Sequence, residues 1–268
     1  RRAAPVQATW LGYPDTSGLD EMDYRITDPI ADPPGKGDQY ATEKMARLPN
    51  GFHCYRPPRN APEPNSPPSL QTERITFTSF NNIAKVTPDV VQVWSRILCA
   101  LPSSRFLMKH RSLTCPDTRS RYQKMFQNHG VDPARLEMVP WSPTVTDHLN
   151  KYNETDIALD PFPYNGVTTS CEAMWMGVPV VTLRGKRHVA RVGASLLTRL
   201  GLTSLICENE DHYVQEALAL ASDPELLATL RGELRHRMTE SPLCNGPAFA
   251  ADFQQALREM WQAFTKEE

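Results

Sequence analysis

Thr168 and Thr169, followed three residues later by Glu172, are the residues whose types and spacing best suit chemistry. They stand in DPFPYNGVTTSCEAMWMGVPVVTL, residues 160–183. ETDIALD before them reads as a short buried strand ending at Asp160. A Pro/Gly loop follows, the threonines open an apolar helix that stops at Gly177, and VPVVTL makes the next strand. In such a β–loop–α–β unit the helix N-terminus carries a partial positive charge and unpaired N–H donors, a seat for a phosphate or diphosphate. Glu172, in the first turn, is placed to accept hydrogen bonds from ribose hydroxyls. Thr169-x-x-Glu172 is equally a capping box, useful to any helix. Spacing alone favours the cap. Two further polar residues read as bland on spacing alone: Lys85 as a solvated lysine in a polar loop, His148 as a histidine on a helix surface.

The elements that must position these residues follow from the hydrophobic pattern. Residues 1–56 give a strand at 6–11, a Gly/Pro-rich loop through Gly18, a strand at 24–27 and a helix-like stretch at 40–48. RPPRNAPEPNSPPS, residues 56–69, has six prolines and no apolar periodicity, the mark of a linker. ITFTSF then reads as a strand. PDVVQVWSRILCAL is a helix with Pro88 at its start and Val90, Trp94, Ile97, Leu98 and Leu101 on one face. RFLMK, RLEMV, DIALD and VPVVTL continue the strands, with a helix over 117–129 among those between them. Strands and helices alternating at this spacing predict an α/β fold with a parallel, doubly wound sheet of Rossmann type. Its ligands bind at the carboxyl ends of the strands, where Lys85, the loop before His148 and Thr168–Thr169 converge. The last stretch is helical, with Phe249, Phe253, Leu257 and Trp261 at steps of four.

With 268 residues the chain is long enough for one large or two modest domains. A formal net charge of −2 argues against nucleic acid as a partner. No apolar run approaches the roughly 20 residues that span a bilayer. The six cysteines are scattered without a C-x-x-C pair, and Cys99 and Cys171 fall on apolar helix faces. That pattern fits reduced thiols and a cytoplasmic setting better than disulfides or zinc. There is no Asp-x-Asp pair and no His/Asp cluster at metal-ligand spacing, so neither a metal nor another cofactor is expected. The chain lacks an initiator Met and starts a few residues before a strand, which reads as a piece of a longer protein.

TWLGYPDTSG (9–18), MDYRITD (22–28), SFNNIAKVTP (79–88), GVPVVTLRG (177–185), RVGASLLTRLGL (191–202) and SPLCNGPAF (241–249), with the threonine motif, occur in one order over nearly the whole chain. In these segments the chain resembles the O-GlcNAc transferase/SPINDLY family of nucleotide-sugar glycosyltransferases. DYRITDPIADPP, FNNIAK and CNGPAF are closer to the SPINDLY branch. The resemblance implies a GT-B fold: a partial N-terminal half-domain (1–56), the Pro-rich linker (57–70), a C-terminal nucleotide-sugar domain (71–245) and a final helix crossing back to the N-terminal segment (246–268). It implies a TPR superhelix and the rest of the N-terminal half-domain upstream.

By the same resemblance, Lys85 is the catalytic donor-phosphate lysine. Asn82, His148, Thr168, Thr169 and Glu172 bind the donor, with His148 beside the nucleotide and Glu172 on the ribose. Tyr13, Pro14 and Thr16 form the loop on the sugar and acceptor side. The implied activity is a metal-independent, inverting transfer of a sugar, GlcNAc from UDP-GlcNAc, to Ser/Thr hydroxyls of a protein. Two departures bear on the donor. Val167 stands where O-GlcNAc transferases carry a histidine before the two threonines, which the SPINDLY branch also lacks while using GDP-fucose. Asp15 replaces a glycine and brings a negative charge near the sugar side. A nucleotide-sugar-binding module without turnover is the reading from another class. Three expectations follow: residues 1–56 offer two strands and one helix, the TWLGYPDTSG strand lies at an open edge, and Trp261 is buried against residues 1–50.

Overall fold

The computed structural model describes residues 2–267. Its N-terminal part is a three-stranded parallel sheet of β1 (Ala8–Thr9), β2 (Tyr24–Thr27) and β3 (Lys44–Arg47), in the order β1-β2-β3. β1 is shorter than predicted. β3 replaces the predicted helix at 40–48, where only Asp38–Tyr40 makes a 3₁₀ turn. Glu43, Lys44, Met45, Ala46 and Arg47 have good helix propensity, but pairing of Lys44 with Tyr24 and of Arg47 with Thr27 overrides it. Glu43 adds a clamp, accepting bonds from the Ser17 amide at 2.6 Å and the Thr16 hydroxyl at 2.8 Å. Among the described residues β1 pairs only with β2 and is an edge, with Trp10, Leu11 and Tyr13 exposed just beyond it.

After the Pro-rich segment and the short helix α1 (Ser69–Thr72) comes a Rossmann-like unit. Its strands are β4 (Thr76–Ser79), β5 (Arg105–Lys109), β6 (Leu136–Val139), β7 (Ile157–Leu159), β8 (Val180–Leu183) and β9 (Ile206–Cys207). All pair in parallel, in the order β6-β5-β4-β7-β8-β9. Counted from β4 this is the doubly wound order 3-2-1-4-5-6. The direction of winding reverses between β4 and β7, which opens a crevice at their carboxyl ends.

Helices α2 (Pro88–Ala100), α3 (Pro116–Asn128), α4 (Val145–Asn150), α5 (Thr168–Trp175), α6 (Val192–Arg199), α7 (Glu210–Ala221) and α8 (Pro224–Glu240) surround the sheet. α2 begins where expected, its N-cap Thr87 accepting from the Val90 amide, and buries Val90, Trp94, Ile97 and Leu98. The Trp94 indole N–H donates to the Tyr213 hydroxyl at 3.2 Å, which donates to the Asp160 carbonyl at 3.0 Å. That chain fixes the end of β7 from behind. The Pro-rich segment is not slack: Arg231 of α8 donates to the Asn65 carbonyl and side chain, both at 2.9 Å. All six cysteines are free; Cys171 is buried, whereas Cys99 is exposed rather than on a buried face. No helix among the described residues is long and apolar enough to cross a membrane.

The last helix, α9 (Gly246–Glu267), packs back on the N-terminal segment at its start. Phe249 and Phe253 lie 5.7 and 4.8 Å from the Trp10 ring, and Asn50 donates to Asp252 at 2.9 Å. The expected burial of Trp261 fails: it is 52% exposed and Leu257 44%. A step of four residues rotates about 40° past a full turn, so the stripe drifts by roughly 120° between Phe249 and Trp261. Phe249, Phe253, Ala256 and Met260 hold the true face, and these are the residues against the core.

Candidate functional site

The loop between β7 and α5 is set by Asp160, whose carboxylate accepts from the Gly166 amide at 2.6 Å and the Thr182 hydroxyl at 2.7 Å. Burial pushes the Asp160 carboxyl up to about 7, against the opposing pull of those bonds and of the Lys85 charge. Asn165, also buried, is the hub of the loop. Its carbonyl accepts from Lys85 Nζ at 2.8 Å, its amide donates to the Val189 carbonyl at 3.1 Å, and its Oδ1 accepts from the Gly193 amide at 3.2 Å. Lys85, on the 3₁₀ turn Ile83–Lys85 after β4, also sits over the Tyr164 ring at 3.8 Å. Burial lowers its pKa from the ordinary lysine value, and the Asp160 charge works the other way.

α5 starts at Thr168 with Val167 as N-cap and no side-chain cap. The capping box is therefore not formed. Thr169 instead donates to Asn81 Oδ1 at 2.8 Å, and Glu172 turns away to His148 Nε2 at 3.0 Å. The first N–H groups of α5 are left open to the cleft, as at any uncapped helix start. Gly166 makes the turn possible: a Cβ there would lie 2.6–2.7 Å from Ser170 Oγ, Asn81 Oδ1 and Thr169 Oγ1.

Two cavities open on these groups. One, of about 330 Å³, is lined by Lys85, Thr168, Thr169, Asn81 and Asn82 together with Tyr13, Pro14, Trp10 and His188. The second, of about 280 Å³, is lined by Phe80, Lys109, His110, Trp141 and His148, and meets the first at Asn82. Asn82, His148, Thr168 and Thr169 thus converge with Lys85, whereas Glu172 lines neither cavity and stands behind His148. Thr16 does not line either cavity and is held by Glu43 and Thr42 instead. Asp15 faces Arg187 at 3.7 Å, so its charge is partly met. A larger open groove of about 1270 Å³ lies along Pro33, Pro34, Arg184 and Arg191, but none of the predicted site residues borders it.

His148 is not a surface histidine. Lys109 Nζ donates to its Nδ1 at 2.5 Å, and a lysine has only donors, so Nδ1 holds the lone pair and Nε2 carries the proton given to Glu172. The relay Lys109–His148–Glu172 fixes the ring and one carboxylate oxygen. Burial draws the Lys109 pKa down, and the Glu172 charge resists. Asn81, Lys109, Asn165 and His188 escaped the reading of the sequence. Lys109 was visible only as the last residue of RFLMK, and His188 follows an unremarkable basic stretch.

A doubly wound parallel sheet with a polar cleft at its switch point, faced by a second parallel sheet, defines the nucleotide-sugar half of a GT-B glycosyltransferase. The structure superimposes with a TM-score of 0.90 on the O-GlcNAc transferase of Thermobaculum terrenum (K341M mutant), at 37% identity, covering 100% of this chain and 50% of that one. The chain belongs to glycosyl transferase family 41, whose model matches residues 1–55 and 66–253. It is 47% identical over 267 residues to Arabidopsis thaliana SPINDLY, named "Probable UDP-N-acetylglucosamine--peptide N-acetylglucosaminyltransferase SPINDLY", covering 100% of this chain and 29% of that protein. A more distant Arabidopsis relative of the same naming, SEC, is 28% identical over 271 residues, covering 96% of this chain and 27% of that protein. The chain thus spans under a third of the length of these curated relatives.

Proposed function

We propose that this chain carries the donor side of a protein O-glycosyltransferase that transfers GlcNAc from UDP-GlcNAc to Ser/Thr hydroxyls. The supporting observation is the convergence of Lys85 and the uncapped start of α5 on one cavity, abutting a second that holds His148. In this reading the diphosphate lies against Lys85, Thr168, Thr169 and the α5 amides, and the nucleoside reaches the His148–Glu172 pair. The acceptor oxygen attacks the anomeric carbon, the bond from that carbon to the diphosphate oxygen breaks with its electron pair leaving on the phosphate, and the acceptor's hydroxyl proton is released to water. Lys85 and the helix dipole stabilise that charge, a part that a divalent cation plays in other transferases. The donor and peptide acceptor are those in the name of the SPINDLY relative. The six free cysteines support a reducing, cytoplasmic setting.

Val167 favours a second donor, GDP-fucose, because no histidine precedes the threonines. Incubating the full-length protein and Ser/Thr peptides with each nucleotide sugar, followed by intact-peptide mass spectrometry, decides between them. An N-acetylhexosamine increment with UDP-GlcNAc is expected, and a deoxyhexose increment with GDP-fucose alone moves the reading to the second donor. Calorimetric binding of UDP or GDP without transfer of either sugar would make this a binding module.

The same reading assigns Glu172 to the ribose. Glu172→Gln keeps a partner for His148 Nε2 while removing the charge and one acceptor. Nucleotide affinity measured by calorimetry is expected to fall about tenfold, the size of one charge-assisted hydrogen bond. The melting temperature should hold within a few degrees. Unchanged affinity would leave Glu172 only a partner of His148.

A further inference from the structure

His188 lies 156 residues from Asp32 in sequence, yet its Nδ1 stands 2.6 Å from Asp32 Oδ2. The same oxygen accepts from the Thr27 hydroxyl at 2.5 Å. Both His188 and Asp32 are buried, and the Phe52 ring packs on the imidazole at 5.0 Å. Burial alone would raise the Asp32 pKa; the bond and charge of His188 and the Thr27 hydroxyl outweigh it and hold the carboxyl below its ordinary value. An ionised carboxylate only accepts, so Nδ1 carries a proton and Nε2 is the nitrogen left over. His188 lines the same cavity as Lys85, Thr168 and Thr169.

Gluing the N-terminal segment to the Rossmann unit would need only Nδ1. Nε2 has another use. The Val189 carbonyl, one residue on, is bonded to Asn165, whose own carbonyl holds Lys85. The His188 wall and the Lys85 ammonium are therefore fastened to one residue on the same cavity. A diphosphate at Lys85 must place its covalently attached sugar in that space. The surrounding wall holds unpaired polar groups: Arg25 Nη2 and His53 Nδ1, from residues that line the cavity, are buried without a hydrogen-bond partner among the described residues. Such a lining suits a hydroxylated ring better than an apolar group.

We propose that His188 is a specificity-determining contact to the transferred sugar, its Nε2 bonding a ring hydroxyl while Asp32 acts as the positioning residue that holds the imidazole. This rests on the donor-site reading given above. It makes the sugar, and not the nucleotide, the part of the donor that the junction of His188 with Asp32 selects.

The test compares wild type with His188→Leu and His188→Gln in calorimetric titration with UDP, GDP, UDP-GlcNAc and GDP-fucose. Affinity for the bare diphosphate should be unchanged in both variants. Affinity for the sugar nucleotide should fall about tenfold in His188→Leu and less in His188→Gln, which keeps a polar end. Deoxy analogues of the bound donor complete the cycle: one deletion should weaken binding to wild type and leave His188→Leu indifferent. Equal losses for diphosphate and sugar nucleotide, or none for the sugar nucleotide, would overturn the proposal. Failure of wild type to bind any of the four would overturn the donor-site reading instead. Should neither variant fold, modification of wild-type His188 by diethyl pyrocarbonate, mapped by mass spectrometry, decides. Protection by the sugar nucleotide beyond that by its diphosphate supports the contact, and equal protection rejects it.

Discussion

Lys85→Met is expected to lower glycosyl transfer by the full-length protein by about a hundred- to a thousandfold, the range seen when one preorganised charge or donor is removed from a transition state. Methionine keeps much of the stem and removes the ammonium, which sits 3.8 Å from the Tyr164 ring centroid. The bond lost to the Asn165 carbonyl is a single one, and Asn165 keeps its contacts to Val189 and Gly193. Stability should therefore change little, and with the charge of Lys85 gone Asp160 should hold its proton more tightly. Turnover and thermal melting measured on the same preparations check this. A large fall in melting temperature with activity per folded molecule intact would return Lys85 to a structural role.

Gly193→Ala is expected to destabilise the chain by about 3 kcal/mol, from overpacking together with disruption of a buried hydrogen-bond network. A Cβ at this start of α6 would overlap Thr182 Oγ1 and come within 2.8 Å of Asp160 Oδ2. Neither can retreat, because Thr182 donates to Asp160 at 2.7 Å and both are buried. At roughly 2–4 °C per kcal/mol for a chain of this size, the melting temperature should drop by about 6–12 °C. Gly232→Ala is the control. It is an exposed residue of α8 with no atom beyond its own helix backbone within 4 Å of the added carbon, and a helical alanine there should stabilise by up to about 1 kcal/mol. Equal effects of the two substitutions would mean that the packing around Asp160 yields more readily than its geometry implies.

Much of the Rossmann unit was legible because several of its elements have a local signature, whereas β9 (Ile206–Cys207) went unread. Pro88 and the Trp94 face announce α2, and the apolar runs of β5, β7 and β8 are those of strands buried on both faces. The failures fall where tertiary contacts overrule local pattern. Residues 44–47 have helical propensity and became β3 because β2 lies beside them. Thr169 and Glu172 have the spacing of a capping box, but Asn81 and His148 take those side chains. Trp261 continued a step-of-four stripe that the helix itself does not follow. His188 and Asp32 had no local sign at all, since their meaning lies in a contact between the two sheets' segments.

Trp10 ties the far end of the chain to the cleft. Its indole N–H donates to the Phe52 carbonyl at 2.9 Å, its ring carries Phe249 and Phe253, and it forms part of the wall opposite Lys85. The first turns of α9 thus act as a gauge block that sets the gap between the two walls. Loosening the C-terminal helix changes the width available to a sugar, so mutations or partners that touch only the tail are mutations or partners of the pocket.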